Sequence, residues 1–420
     1  MDRTSPYDAP AAGPRAERCV TRGKLPSLVI VLFAQVAAMG VWFSSTTAMA
    51  LIKLSHAIAP FDEAMLTSAV QLGFVAGTIV SATLSLPDRH DLRRLFMGSA
   101  LVAALATGLL AVLPPTGTPV VVLRFVTGMC MAGVYPVGIR LVATWANADL
   151  GLLIGLLVGA LTLGSASPHL VAGMPGLDWR LIYLVAAGFA LLAAIAIGFA
   201  GIGPNLKRAA RIDVRKVTQA WRNPAVRLAN LGYLGHMWEL YAMWAWLGLF
   251  LQQTLASHGV AGYRSKAEAL TFAVIAFGAA GAWAGGWLAD RVGRTLVTIG
   301  AMAVSATCAA TIGWLSGAPL ALVVAVAFVW GFSVIADSAQ FSASVAELAE
   351  PTSVGTLLTA QTCAGFLVTL VSIHLVPDVV AQLGWRGGMG ILAIGPALGC
   401  LAMWRLRRHP DSRRMAGGKR

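Results

Sequence analysis

Charge is what this 420-residue sequence has least of. Asp, Glu, Lys and Arg make up 12 % of it and hydrophobic residues 57 %, where a soluble domain carries about a quarter charged residues. A soluble globular fold of this length is excluded, because too little polar side chain is present to cover its surface. Cysteine is scarce and odd in number, with five residues, and Cys130, Cys308, Cys363 and Cys400 fall inside apolar stretches. No disulfide framework follows, and no Cys or His spacing suits a metal. Paired histidine ligands, a Cys-x-x-Cys, a metalloprotease signature and a phosphate-cradling glycine loop are also missing, so enzyme, haem and quinone chemistry find no motif. No cofactor, no metal and no enzymatic activity are expected. Strand-length alternation is absent too. Helices, which satisfy backbone groups within one segment, remain as the way through lipid.

What is present is a series of apolar runs of about 20 residues, long enough to cross ~30 Å of hydrocarbon. The expected spans are 27–51, 64–86, 95–114, 117–141, 150–173, 180–202, 228–252, 268–289, 295–317, 319–343, 353–376 and 386–404. Arg22 and Lys24 before an apolar run, and Ala48-Met49-Ala50 after it, imitate a signal peptide. The run from Leu28 to Leu51 is too long for a signal core, so it is taken as the first span. The expected organisation is a disordered cytoplasmic tail (1–25), a six-helix bundle (26–203), a basic cytoplasmic linker (204–227), a second six-helix bundle (228–407) and a basic cytoplasmic tail (408–420). The fold class is all-α integral membrane, with twelve transmembrane helices in two pseudo-symmetric bundles.

The net charge of +13 does not point to nucleic acid, because the basic residues are sorted by side. Five lie before Pro26, seven between Pro204 and Arg227, and seven from Arg405 onward. The opposite loops hold Lys53, Arg180, Arg264, Lys266 and Arg386. This asymmetry puts both termini and the linker in the cytoplasm, with anionic lipid as the partner of those charges.

The halves repeat. Phe125-Val126-Thr127-Gly128 is echoed by Phe328-Val329-Trp330-Gly331 at an offset of 203, Leu177-Asp178-Trp179-Arg180 by Leu383-Gly384-Trp385-Arg386 at 206, and Asp88-Arg89 by Asp290-Arg291 at 202. Such a repeat is the signature of two bundles around an axis along the membrane normal, with a site between them near mid-membrane.

The stretch Gly286-Trp287-Leu288-Ala289-Asp290-Arg291-Val292-Gly293-Arg294 is short and polar in apolar surroundings. It resembles the loop motif of the major facilitator superfamily of secondary transporters at every defining position. Arg124-x-x-x-Gly128-x-x-x-x-Gly133 is similar to the superfamily's fourth-span pattern, and the resemblance runs from about Pro26 to Arg407. The stretches 42–45, 235–244 and 336–343 resemble an uncharacterised bacterial subgroup. The first-half loop departs from the motif, keeping Asp88 and Arg89 but with Leu84 and Asp91 where glycines are usual. Gly155-x-x-x-Gly159 lets helices approach closely, yet Ala160 stands where the antiporter motif has proline. The resemblance implies a conformational role for Gly286, Asp290, Arg291, Gly293, Arg294, Asp88 and Arg89, with Asp290 meeting the start of the fifth span near Gly151.

Ionisable residues deep in spans are expensive unless they face a cavity or a partner. Arg124, His169, His236, Glu239, Asp337 and His374 qualify. His236 and Glu239 are spaced i, i+3 among Trp238, Tyr241, Trp244 and Trp246, so they share a helix face and are able to interact. Desolvation favours the neutral form of a carboxyl, which makes Glu239 the candidate proton site. The alternative is a pair that satisfies itself or ties the seventh span to the tenth through Asp337. Arg124 reads as structural, a relay member or an anion contact; Asp337 as a coupling, cation or helix-contact residue. The resemblance implies that the first, fourth, seventh and tenth helices line a cavity, to which Trp42, Gln35, Tyr135 and Gln340 belong, with Gln361 from the eleventh. The expected activity is secondary, proton-coupled transport of a small polar or anionic metabolite by a monomer in the cytoplasmic membrane. A facilitator, a drug or cation exporter, and a non-transporting membrane sensor are the alternatives.

Overall fold

A helix stands over every expected span. The computed structural model describes residues 23–147, 149–174, 176–206, 214–350 and 352–420. Residues 1–22 of the expected tail and 207–213 of the expected linker lie outside the described residues. The long helices are α1 (Lys24–Ile52), α2 (Pro60–Thr83), α3 (Leu92–Leu109), α4 (Thr118–Ala143), α5 (Leu150–Ala172) and α6 (Trp179–Ile197). They are followed by α7 (Pro224–Ser257), α8 (Tyr263–Val292), α9 (Arg294–Ile312), α10 (Leu320–Leu348), α11 (Val354–Gly390) and α12 (Ile394–Arg408). No strand occurs among the described residues. Ten segments there are long and apolar enough to cross a membrane. The longest, Val354–Arg408, is broken at Gly384 by a left-handed turn (φ 65°, ψ −170°), and the 34-residue α7 is additional to the ten.

Local chemistry sets the helix starts. Asp91 caps α3 and Asp178 caps α6, each carboxylate accepting an N–H two residues on. Asn223 accepts from the N–H groups of Ala225 and Val226, and with Pro224 in the first position it starts α7 four residues before the expected 228. Between Pro204 and α7 the described part of the linker forms a 3₁₀ turn (Val214–Thr218) and a short helix (Gln219–Arg222).

Packing repeats from one half to the other. α1 packs on α5 and α6, α2 on α4, and α3 on α6; α7 packs on α11 and α12, α8 on α10, and α9 on α12. Between the halves the contacts concentrate on two seams, α5 with α8 and α2 with α11, which are again repeat mates. The sequence echoes explain this. A Cβ at Gly128 would stand 2.0 Å from the Val70 carbonyl oxygen, and one at Gly331 2.3 Å from that of Val274. Each echo therefore ends in the glycine that lets α4 onto α2, or α10 onto α8. The Trp-Arg echo repeats in sequence but not in contact: the Arg180 guanidinium lies 4.4 Å from the ring of its neighbour Trp179, whereas that of Arg386 lies 4.8 Å from Trp314, and Trp385 donates to Gln253 instead. Helices α4 and α10 are each interrupted at matching points, around Ala132–Val134 and at Asp337.

Large side chains left uncovered by protein, such as Leu105 and Leu109 on α3, Leu192 and Ile195 on α6, and Leu398 and Leu401 on α12, form an apolar exterior suited to lipid. The end bearing the α6–α7 connection is called the linker face below, and the opposite end the far face.

Gly128→Ala and Gly331→Ala are each expected to lower the melting temperature of the purified protein, because the added methyl forces two helices apart, at about 1–3 kcal/mol. Gly98→Ala on α3, where a Cβ meets nothing within 4 Å, should instead leave stability level or raise it by about 0.5–1 kcal/mol.

Candidate functional site

The polar interior of the second half is built on α7. His236 and Glu239 are both about 1 % exposed, but they do not pair with each other as their spacing suggested. Three residues turn a helix by about 300°, so neighbours on one face still diverge by ~60°, and each finds a different helix. Nδ1 of His236 lies 2.9 Å from Oδ1 of Asp337, an ion-pair separation whose angles fall short of a hydrogen bond. Asp337 stands at the interruption of α10. Glu239 takes a hydrogen bond of 2.6 Å from the Trp330 indole on α10 and one of 2.7 Å from Ser305 on α9. Trp330 is able only to donate, so Oε1 is fixed as an acceptor. The Ser305 hydroxyl donates or accepts, so the contact at Oε2 serves a carboxylate or a neutral acid without moving heavy atoms.

The aromatic residues around this pair separate into roles. Trp238 and Trp246 donate to backbone carbonyls of Ile391 and Ile373, tying α7 to its own half. Tyr241 and Trp244 reach the first half, Tyr241 5.9 Å from Trp42 and Trp244 5.7 Å from Phe43, while Tyr241 also meets Phe366 of its own half at 5.1 Å. Trp42 also meets Phe74 at 5.1 Å. Four helices, α1, α2, α7 and α11, thus close on one aromatic junction between the halves. The indole N–H groups of Trp42 and Trp244 and the amide of Gln71 are buried without a hydrogen-bond partner among the described residues. Buried donors of that kind are normally satisfied.

The other expected lining residues are placed apart. Gln35 faces Gly138 of α4, its Oε1 2.5 Å from where a Cβ there would stand, with both amide atoms unpartnered. Tyr135 is half-buried at the restart of α4. Gln361 accepts from Ser342 at 3.3 Å and keeps its NH₂ unpartnered. Gln340 does not join them. Its Oε1 accepts from Arg294 at 2.8 Å, at the linker face.

Arg124 is fully buried and touches no acid. Its guanidinium donates to the carbonyls of Val41 (2.8 Å), Trp42 and Leu66 (3.3 Å) and to the Ser44 hydroxyl (3.2 Å), fastening α4 to α1 and α2. With its donors occupied by the protein, this arginine is a helix tie rather than an open anion contact.

At the linker face the Asp290 carboxylate stands against Gly151, 3.2 Å from a Cβ position there. A groove of about 360 Å³ lined by Gly151, Gly155, Trp283, Trp287, Asp290 and Arg291 follows the α5–α8 seam from that point, and Gly286 lines it too. Gly293 holds φ 102°, and the backbone oxygen of Arg420 comes within 2.4 Å of its Cβ position, so no other residue fits there. Arg294 makes a two-pronged pair with Glu347 at 2.7 and 2.8 Å, and Arg291 stacks 3.5 Å from the Trp287 ring. In the first half the polarity is reversed, with Asp88 accepting from Arg140 of α4 at 2.8 Å, while Arg89 is exposed. Outside the spans, the hydrogen bond from the Arg93 side chain holds the Asp91 carboxyl below the usual range, and that from Lys24 does the same for Asp149. A larger groove, about 450 Å³, lies between α7 and α12, is lined by residues such as Leu231, Leu234, Leu398 and Leu401, and faces lipid rather than the acid network.

The sequence signature of the Major Facilitator Superfamily matches residues 31–373. The chain belongs to that superfamily. It is a membrane transporter, as the superfamily's members are, and the stretch Gly286–Arg294, which resembles the superfamily's loop motif, lies within the matched residues. No curated protein matches the sequence. Within this superfamily member the residues that sequence reasoning missed are the partners of those it named: Trp330 and Ser305 for Glu239, Glu347 for Arg294, Ser68 for His374 and Glu268 for His169. Trp330 carried a signal, since it replaces Thr127 in the echo of the fourth span. Glu268 sits five residues inside α8, which begins at Tyr263, not 268.

Arg124→Lys is expected to destabilise the folded protein by about 2 kcal/mol or more, because a single ammonium does not span four acceptors laid out for a planar fork. Thermal unfolding in detergent, with Arg124→Gln alongside, checks this.

Proposed function

We propose that this transporter is a secondary carrier of a small polar or anionic metabolite, working by alternating access and driven by protons. The observation that supports it is the layout of the ties. Arg124, Glu239 and the His236–Asp337 pair each join helices of one half, while contacts between the halves concentrate on α5–α8 and α2–α11. Two stiff bodies meeting on two repeat-related seams suit a rocking motion around the aromatic junction. The junction's unpartnered indole and amide groups favour a solute bearing acceptors.

Glu239 is the proposed proton site, with His236 and Asp337 beside it. Its two partners are neutral and serve either protonation state, so a proton comes and goes without repacking α9 or α10. The linker face is proposed to be cytoplasmic, on the distribution of Lys and Arg, in the inner or plasma membrane, with a monomer as the working unit. Uncoupled facilitation is the competing reading, favoured by the fact that both Glu239 oxygens already have partners inside the fold.

Transport by reconstituted protein, with pooled metabolites outside and a pH dye inside, separates the two. Glu239→Gln keeps an acceptor for Trp330 and a donor for Ser305, so the variant should fold and bind solute while losing solute-dependent proton movement. Glu239→Ala should instead destabilise the second half by about 1–3 kcal/mol, the cost of an indole donor left unpaired. Wild-type solute uptake without proton movement, unchanged in Glu239→Gln, would leave the facilitator in its place.

A further inference from the structure

The larger of the two grooves lies on the outer surface of the second half, between α7 and α12 with Val368 of α11 at its side, and holds about 450 Å³. Two glycines make it. A Cβ at Gly235 would stand 2.4 Å from the Gly395 carbonyl oxygen, and one at Gly395 2.5 Å from that of Gly235, so the helices meet backbone to backbone and no side chain fills the space outside the contact. Trp238 walls the inner end, its indole pinned to the Ile391 carbonyl at 3.0 Å, and the exposed Leu231, Leu398 and Leu401 form the rims. At the linker-face end the lining changes character, because the last residue to line it on α12 is Arg405.

We infer that this groove is a binding site for a single phospholipid with an anionic headgroup, one acyl chain lying along it and the phosphate against Arg405. Length selects the occupant. From Ile394 to Arg405 the groove follows α12 for ~16 Å at the helical rise, half of the ~30 Å hydrocarbon layer. That is the reach of one leaflet, which suits an acyl chain, whereas a membrane helix of a second copy needs a seam across both leaflets. Charge selects the headgroup. The Arg405 side chain is exposed and has no hydrogen-bond or ion-pair partner among the described residues, and Arg227 is exposed near the start of α7 at the same face. Helix α12 contains no acid, the first turn of α7 has none, and Asp411 beyond α12 lies 3.6 Å from His409. A guanidinium so placed takes a phosphate through two N–H groups at once. A zwitterionic headgroup brings its own cation and gains less there.

The repeat separates this site from the needs of the fold. At the echo offsets of 202 to 206, Arg405 falls on 199–203, which holds no basic residue, while Gly235 falls on 29–33 and Gly395 on 189–193, neither of which holds a glycine. Helices α1 and α6 pack on each other without these features, so the glycine pair and the arginine are particular to the second half. All three helices that line the groove belong to that half. A lipid bound there rides on one body and keeps its site whichever way the halves face, whether or not transport is coupled to protons.

Native mass spectrometry of the full-length protein, delipidated in detergent and titrated with phosphatidylglycerol or phosphatidylcholine of identical chains, reads the first lipid bound. Phosphatidylglycerol should bind one preferred site about ten-fold more tightly than phosphatidylcholine, the scale of one charge-assisted pair. Arg405→Gln should remove that preference. Arg408→Gln should keep it, since the Arg408 guanidinium stacks 3.6 Å from the Trp404 ring and lines no part of the groove. Leu398→Trp, which fills the groove from an exposed rim, should weaken first-site binding of both lipids. Gel filtration confirms that each variant is folded before titration. Equal binding of the two lipids to the wild type, a preference that survives Arg405→Gln or is lost in Arg408→Gln as well, first-site binding untouched by Leu398→Trp, or a dimer that Leu398→Trp separates would each overturn the assignment.

Discussion

In lipid a buried polar group must find its partner inside the protein, and the choice of partner decides which helices move together. Arg124 spends its donors on α1 and α2, which makes α1, α2 and α4 one body. Glu239 does the same for α7, α9 and α10, and Trp238 and Trp246 add α11 and the approach to α12. These ties are buried in a medium of low polarity, where breaking one strands a charge or a donor, so the bodies they define stay intact. Glycine completes them. Where Gly128 and Gly331 admit a neighbouring backbone, the packed pair has no side-chain layer along which to slide.

The two halves repeat in shape more closely than in chemistry. The loop after α8 presents Arg294 to Glu347 at the end of α10, while the loop after α2 presents Asp88 to Arg140 at the end of α4. The same junction is thus fastened with opposite polarity. The second-half loop is also covered by the chain beyond α12. Lys419 reaches the Asp290 carbonyl at 2.6 Å, Thr295 donates to the Arg420 oxygen, and the Ala416 N–H is accepted by Glu347. These contacts fall on the half whose loop resembles the superfamily pattern; in the loop that departs from it at Leu84 and Asp91, Asp91 accepts from Arg93, which also donates to the Ala200 carbonyl.

Much of the fold was legible because lipid makes it so. Apolar runs gave the helices, and the three echoes gave the repeat, each with a physical reason now visible: a glycine for close approach, a helix start, a charged turn. The Leu177–Arg180 echo even shows one task done two ways, since Asp178 caps α6 by its side chain while Gly384 turns the chain by its backbone. What was not legible was pairing. Spacing put His236 and Glu239 on one face and offered Asp337 as a tie to the tenth span, but only the arrangement of α9 and α10 reveals that Asp337 stands by His236 while Ser305 and Trp330 meet Glu239. Gln340 is at the right helix for a cavity and the wrong depth, drawn to Arg294 instead. Glu268 was read as a span boundary, and an acid at a boundary signals nothing until its neighbour is known.

The two ends of the α5–α8 seam are closed by forces of different strength. At the linker face an Asp290 side chain that is 59 % exposed rests against the start of α5, an interaction worth about 0.3–1 kcal/mol in so wet a place. At the far face His169 and Glu268 meet nearly out of water, with Nδ1 2.6 Å from Oε2 and side chains 5 % and 11 % exposed, where a polar contact acts through a lower dielectric. The contact at the far face is thus the more enclosed of the two. A difference of a few kcal/mol between the alternatives is within reach of what a bound solute supplies by fitting one of them better. A carrier needs that balance: seams strong enough to keep two stiff bodies aligned, and weak enough for cargo to choose between them.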